Sequence, residues 1–424
     1  MTSKHNSHFF SRTLGLGIAV AAAFSIFSPV QTVHAEKVGD HFEIDLPGLL
    51  KDEPRTRVVM NFPQHGSPAQ GEMELHAPPG FEISVFAEGG FREPRNVVVA
   101  PNGDFFLADS AANTVFVLRD TNGDGKADFR SVFIEGIKRQ PFGIAFYPGY
   151  VYIGTTGNVV RFAYEPGQTE AKGEPETVIE RLPTGGTNNH WTRNLLFNSD
   201  QSKLYVSVGS SSNLAEEEPH RATILECNPD GSALRIFASG LRNPVALDWN
   251  PTTGELWTSV NERDLLGDDI VPDYVTSVKE GGFYGWPYFY LGPNADFRMK
   301  GKGMGLRDSV IVPDVLIQAH SASLGAKFYA GDMFPEEYRG DLFVAFHGSW
   351  NRSLRTGYKI VRVRFDDAGM PVGGYENFLV GWLPDPKSPK VWGRPVMVSF
   401  APDGAMLIAD DSAKKIWRVS YSGE

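Results

Sequence analysis

The 424-residue chain has one cysteine, Cys227, so no intramolecular disulfide can form and packing alone must hold the fold. Cys227 lies in the alternating stretch ATILECNPDG, where it reads as a small buried hydrophobe. No CxxCH is present, so the chain carries no covalent haem to take up electrons. Positive charge is also scarce: 40 Lys and Arg stand against 51 Asp and Glu, a net charge of −11. That balance argues against nucleic acid, which requires a basic surface, and gives no reason to expect attachment to anionic lipid. The apolar run from Leu14 to Phe27 is too short and too rich in Ala and Gly for a membrane span. With Lys4 and Arg12 before it and Val33-His34-Ala35 after it, the run reads as a secretory leader over residues 1–35. It has no twin-arginine pair. The expectation is export by the general secretory route to the periplasm or the exterior, without stable membrane insertion.

Glycine (45), proline (29) and aromatic residues (12%) are plentiful, and long helical patterns are few, which indicates an all-β chain with many turns. One unit recurs: apolar strand, tight turn, second strand, polar break, third strand. It begins at Pro94 (PRNVVVAPNGDFFLADS), at Arg139 (RQPFGIAFYPGYVYIGT), and in NNHWTRNLLFNSDQSKLYVSVGS from Asn188. It returns at Leu241, Ser323 and Gly393, with insertions around the fourth and fifth copies. The early spacing of about 45–50 residues is that of four-stranded propeller blades. Each unit alone would leave an apolar face bare, and stacking around an axis covers it. The expected fold is therefore a six-bladed β-propeller with four-stranded antiparallel blades over 79–424. Residues 36–78 form an extension expected to help close the ring.

Polar residues recur where each innermost strand starts: Arg95, Arg139-Gln140, His190, Arg242-Asn243 and Arg394. In a propeller these positions surround one end of the channel. Arginines gathered there repel one another unless an anion sits between them. Away from those starts, Asp120, Asn122, Asp124 and Asp128 alternate in DTNGDGKAD, with Gly125 at the turn. They resemble an EF-hand loop and suggest a structural calcium, although the twelfth position is Ser131 rather than glutamate.

The ordered set HWTRNLLF, SGLRNPVAL, VNERDLLGDDIVPDY, GGFYGWPY, AFHGSWNR and WGRPVMVSFAPDG resembles the soluble quinoprotein sugar dehydrogenases, sorbosone dehydrogenase-like members above all. The resemblance spans about Gly80 to Val419. It implies pyrroloquinoline quinone (PQQ), a tricarboxylate, held with Ca²⁺ on the axis. It also implies oxidation of an aldose or of a sugar-derived aldehyde such as sorbosone, with electrons passed to an external carrier, a cytochrome or the quinone pool. By the same resemblance His190 is the general base and Arg242 stabilises charge at the quinone carbonyl, with Asn243 assisting. Arg352 or Arg355, together with Arg394, would hold cofactor carboxylates, and Gln140 is assigned to the cofactor as well. Main-chain carbonyls near Glu262 and Arg263 would ligate the calcium, supported by Asp268 and Asp269. Asp273 reads as surface charge. His320 and His347 either face the pocket or satisfy backbone carbonyls. The glucose-oxidising branch has an aspartate that orients the histidine, where this chain has Ser210.

These chemistries suit the residue types. A histidine is a base near neutral pH, a guanidinium steadies a developing oxyanion in a dry pocket, and its fork matches a carboxylate. Two other propeller functions compete: a calcium-dependent lactonase or other hydrolase, and a non-catalytic binding module.

Overall fold

The structure, a computed structural model, describes residues 36–51, 73–185 and 190–423; the leader lies outside them. From Ala35 onward the chain forms one compact unit, a ring of six antiparallel four-stranded blades. Blade 1 consists of Pro94–Val99, Phe105–Asp109, Thr114–Arg119 and Phe129–Glu135. Blade 2 consists of Pro141–Tyr147, Tyr150–Thr155, Val159–Ala163 and Glu176–Ile179. Blade 3 runs through Leu195–Phe197, Leu204–Val208, Thr223–Cys227 and Arg235–Ser239. Blade 4 runs through Asp248–Trp249, Leu256–Val260, Asp273–Ser277 and Val315–Ile317, with residues 278–314 inserted before its last strand. Blade 5 is Ser323–Phe328, Leu342–Phe346, Lys359–Val363 and Tyr375–Leu379.

Blade 6 joins the two ends of the chain. Its inner three strands, Pro395–Phe400, Met406–Asp410 and Lys415–Tyr421, come from the C-terminus, and its outer strand is Phe81–Glu88. That strand pairs with Lys415–Tyr421 from Phe81↔Tyr421 through to Glu88↔Lys415. The extension over 36–78 therefore does not supply the closing strand. Its two-residue strand His41–Phe42 adds instead to the outer edge of blade 5, against Glu376 and Tyr375.

The alternating apolar residues that marked the repeats are used between blades. Phe106, Val117, Ile144 and Ile153 join blades 1 and 2, and Tyr152, Val159, Leu204 and Val206 join blades 2 and 3. Comparable clusters fill the other four seams, the last of them between Leu407 and Ala409 of blade 6 and Val97 and Leu107 of blade 1. Cys227 is buried in the seam between blades 2 and 3, as its alternating context predicts.

The innermost strands open irregularly, and this shapes the site. In blades 1, 2 and 6 the register shifts between Pro94 and Asn96, Pro141 and Gly143, and Pro395 and Met397. Such bulges re-aim a side chain; Arg95 sits in the first. In blades 3 and 4 the inner strand is short because serines take part of the ladder. Ser207 Oγ accepts from the Asn194 amide, and Ser259 Oγ accepts from the Ala246 amide.

Candidate active site

Each blade's first strand crosses the ring and its second returns. The loops between blades and the loops after each second strand therefore share one face. Together they line a cavity of about 530 Å³. The bulged start of blade 1 contributes Arg95, the inter-blade loops contribute His190, Arg242, Asn243, His320 and Arg394, and the loops after second strands contribute Glu262, Asp264, His347 and Asn351. Sequence reasoning found most of the first group. It did not single out Asp264 or Asp411, and it left His320 and His347 undecided.

His190 is held by its neighbours in a single tautomer. Ser210 Oγ donates its one proton to the Ser212 carbonyl at 2.7 Å, so its contact with His190 Nδ1 at 3.0 Å must be one that it accepts. Nδ1 therefore carries the hydrogen and Nε2 the lone pair. Ser210, standing where the glucose-oxidising branch has aspartate, thus suffices to orient the ring. Burial first, and then the Arg242 guanidinium, hold the imidazole pKa well below its ordinary value. At neutral pH the His190 ring is uncharged. Gly209 makes the approach possible, because a β-carbon there would fall 2.6 Å from His190 Cβ and 2.3 Å from Asn243 Oδ1.

Two of the channel arginines already have acid partners, so the ring is not the uncompensated cluster expected from sequence. Arg95 pairs with Asp411, which also accepts from His347 Nε2 at 2.9 Å. Arg242 pairs with Asp264 at 3.3 Å and donates to the carbonyls of Glu262 at 2.6 Å and Asn261 at 3.2 Å. Arg394 differs. Among the described residues its guanidinium donates only to the main-chain carbonyls of His347 and Gly348, and burial lowers its pKa. It remains a half-buried cation without a hydrogen-bonded carboxylate among the described residues, which suits an anionic ligand.

Asn243 donates to Asn261 Oδ1 at 3.1 Å, while its own buried Oδ1 has no partner. His320 lies on the wall between Gly267 O at 2.9 Å and Asp264 at 3.5 Å, and Asp264 is among the groups that raise its pKa. Asp273 is not surface charge, being only 2% exposed. Its two oxygens accept the amides of Glu262 and Ala322 and tie two wall loops together, and burial pushes its pKa up to about 7.

Other assigned residues lie elsewhere. Arg352 reaches the Asp268 carbonyl and pairs with Asp269 at 2.6 Å, clasping the neighbouring loop rather than lining the cavity. Arg355 is buried behind that wall, donating to Ser349 O and Tyr358 Oη. Gln140 lines a smaller cavity of about 190 Å³ that shares His190 and Trp191. Arg263 is wholly buried and pairs with Glu262 and Asp296; the second oxygen of Glu262, Oε1, is buried without a partner.

The loop of Asp120, Asn122, Asp124 and Asp128 joins the third and fourth strands of blade 1, on the face away from the cavity. Its carboxylates are engaged locally: Asp120 accepts the amides of Gly123, Asp124 and Gly125, and Asp128 accepts from Thr121. Among the described residues no group of three or more His, Cys, Asp or Glu is placed to hold a metal ion.

Fold and site define a propeller with a ligand-sized axial cavity in which a neutral histidine faces guanidinium groups. The chain belongs to the TrAA12-like family, whose family model matches residues 75–274 and 303–422. It is 30% identical over 357 residues to an uncharacterized protein of Borreliella burgdorferi, covering 82% of this chain and 91% of that one. It is also 24% identical over 406 residues to a pyrroloquinoline quinone-dependent sugar dehydrogenase of Hypocrea jecorina, covering 81% and 89%. The calcium structure of the Trichoderma reesei AA12 enzyme superposes with a TM-score of 0.71 at 23% identity, over 85% of this chain and 99% of that one.

Proposed function

We propose that this chain is an exported PQQ-dependent oxidoreductase acting on an aldose or a sugar-derived aldehyde, including sorbosone. The observation that carries this reading is His190, neutral and fixed with its Nε2 lone pair free among the described residues, lining the same cavity as Arg242 and Arg394. The Hypocrea jecorina relative, named for the same chemistry, supports it.

Bound PQQ would supply a two-electron hydride acceptor. The protein's own groups do the rest. His190 Nε2 takes the hydroxyl proton as the substrate carbon gives up its hydride. Arg242, braced by Asp264 and two carbonyls, presents fixed positive charge to the developing oxyanion and does not reorganise as it forms. Arg394, with carbonyl partners only, binds a cofactor carboxylate.

Calcium is assigned to the Glu262 loop, as the resemblance implies; Glu262 Oε1 is the unpartnered hard donor there, while the Asn261 and Glu262 carbonyls already accept from Arg242. The electrons leave to a separate carrier. A hydrolase built on a metal cage is less well supported, because the wall lacks a converging set of side-chain ligands among the described residues.

The test is an absorbance titration of the apoprotein with PQQ, with and without calcium, followed by dye reduction with common aldoses, cellobiose and sorbosone. Saturable PQQ binding strengthened by calcium, together with sugar-dependent reduction, is expected. Failure to bind PQQ ends the proposal.

A further inference from the structure

The cavity contains a second histidine that the proposed reaction does not use. His347, in the loop after the second strand of blade 5, lines the same wall system as His190. Its Nε2 lies 2.9 Å from Asp411 Oδ2. Asp411 also accepts from Arg95, and that arginine, His347 itself and nearby Arg394 all hold the carboxyl ionised. An ionised carboxylate only accepts, so Nε2 carries the hydrogen and Nδ1 the lone pair. Among the described residues nothing donates to that lone pair. Burial and the Arg394 charge keep the ring neutral, with its pKa lowered to about 3.

The two histidines thus have mirror-image tautomers. His190 is held at Nδ1 by a hydroxyl and accepts at Nε2; His347 is held at Nε2 by a carboxylate and accepts at Nδ1. Asn243 Oδ1 also lacks a donor, but it is buried against Gly209 and is not open to a ligand. Of the wall's carboxylates, Asp264 is engaged with Arg242 and Asn351, Asp273 with two amides, and Glu262 through one oxygen with Arg263, its other oxygen being buried without a partner. The two unfilled imidazole acceptors call for a ligand rich in hydroxyl donors.

We propose that His347, held by Asp411, is a substrate-specificity residue whose Nδ1 accepts a second sugar hydroxyl while His190 takes the first. The site therefore selects a polyhydroxylated ring, a pyranose, over an alcohol with one hydroxyl or an unhydrated aldehyde. This deepens the sugar-oxidising reading and rests on it, but concerns sugar recognition rather than the redox step.

The test is calorimetric binding that requires no turnover. D-glucose, D-galactose and the 2-, 3-, 4- and 6-deoxy analogues of glucose are titrated into the wild type, His347→Gln and His347→Asn, each loaded with reduced PQQ so that no hydride transfer accompanies binding. The Gln amide reaches the Nε2 position and loses the acceptor at Nδ1; the Asn amide sits near Nδ1 and keeps one. In the wild type, one deoxy analogue should bind about 10-fold or more weaker than its parent sugar. In His347→Gln the parent sugar should fall to that analogue's level and the penalty at that position should vanish, while His347→Asn restores part of it. PQQ affinity, read by absorbance, should be unchanged in both variants. Equal deoxy penalties in wild type and His347→Gln, or no measurable pyranose binding to the wild type, would overturn the assignment. So would a loss confined to PQQ affinity, which would place His347 with the cofactor. Absence of PQQ binding in the wild type itself would instead remove the underlying oxidoreductase reading. In that case the same sugar titrations on the apoprotein decide the His347 assignment alone.

Discussion

At the scale of single residues, a hydroxyl does the work that a carboxylate does for the histidine in the glucose-oxidising branch. Ser210 fixes the His190 tautomer without adding negative charge, so Arg242 and burial keep the imidazole neutral. A neutral anchor orients the ring but would do little to stabilise the imidazolium that the proposed reaction forms. Ser210→Ala should therefore lower kcat about 10- to 100-fold by releasing the ring, with PQQ affinity unchanged. Steady-state kinetics beside an absorbance titration would show it, and a variant at full kcat would remove Ser210 from the mechanism. The acid limb gives a second check. Because the His190 pKa lies well below 6.5, kcat/KM should hold level down through pH 6.5 and fall only at lower pH. A limb centred at 6.5 or above would contradict a desolvated base.

At the scale of elements, the strands and hairpins were legible because each is a short apolar run bounded by a turn. Leu204–Val208 and Met406–Asp410 are examples: both are buried throughout, and successive residues serve the two flanking seams, Met406 and Ile408 that with blade 5, Leu407 and Ala409 that with blade 1. Polar residues at the start of inner strands were legible for the same reason, since a charge where an apolar strand should begin stands out. The loops after second strands were harder to read. Asp264, Asp273 and Asp411 look like ordinary acidic loop residues until closure of the ring brings Arg242, the Ala322 amide and Arg95 against them. Likewise nothing in WNRSLRTGY tells which arginine faces the axis; in the structure neither Arg352 nor Arg355 lines the cavity, and Arg394 from the next loop does. Asp410 shows how such a loop is held. One of its oxygens accepts the Arg394 and Ala413 amides, the other the indoles of Trp382 and Trp417. Asp410→Ala leaves these buried donors unpaired and should cost about 3–5 kcal/mol. A fall in Tm with weaker PQQ binding is expected, because the Arg394 backbone loses its anchor. Weak PQQ binding with an unchanged Tm would show that Asp410 serves the ligand and not the loop.

At the scale of the whole molecule, the ring is closed by Phe81–Glu88 against Lys415–Tyr421, and six apolar seams make each blade depend on two neighbours. Energy stored at the axial site is therefore felt by the entire fold, and its pH dependence has a definite sign. His190 and His347 have folded pKa values below the unfolded imidazole value, His347 at about 3. Below pH 6.5 the unfolded chain binds protons that the folded chain refuses. Stability from these two groups is thus complete above that pH and declines as pH falls toward the folded values. Asp411, held well below the ordinary carboxylate range, adds a loss in the same direction at still lower pH. His320 acts oppositely: its raised pKa stabilises the fold below 6.5 and that contribution fades as pH rises through the raised value. Asp273 opposes the histidines too: with its pKa pushed up to about 7 by burial, it gains stability as pH falls from 7 toward the ordinary carboxylate range. Each neutral histidine therefore adds an acid slope of up to about 1.4 kcal/mol per pH unit against that background, and its share is read by difference between wild type and variant. His347→Gln removes one of them and should flatten the acid side of the Tm profile between pH 6.5 and about 3. If that variant kept the wild-type acid slope, His347 would have to be protonated already in the folded protein. Its Nδ1 would then be a donor, and the acceptor-lined cavity argued from its tautomer would lose one of its two imidazoles.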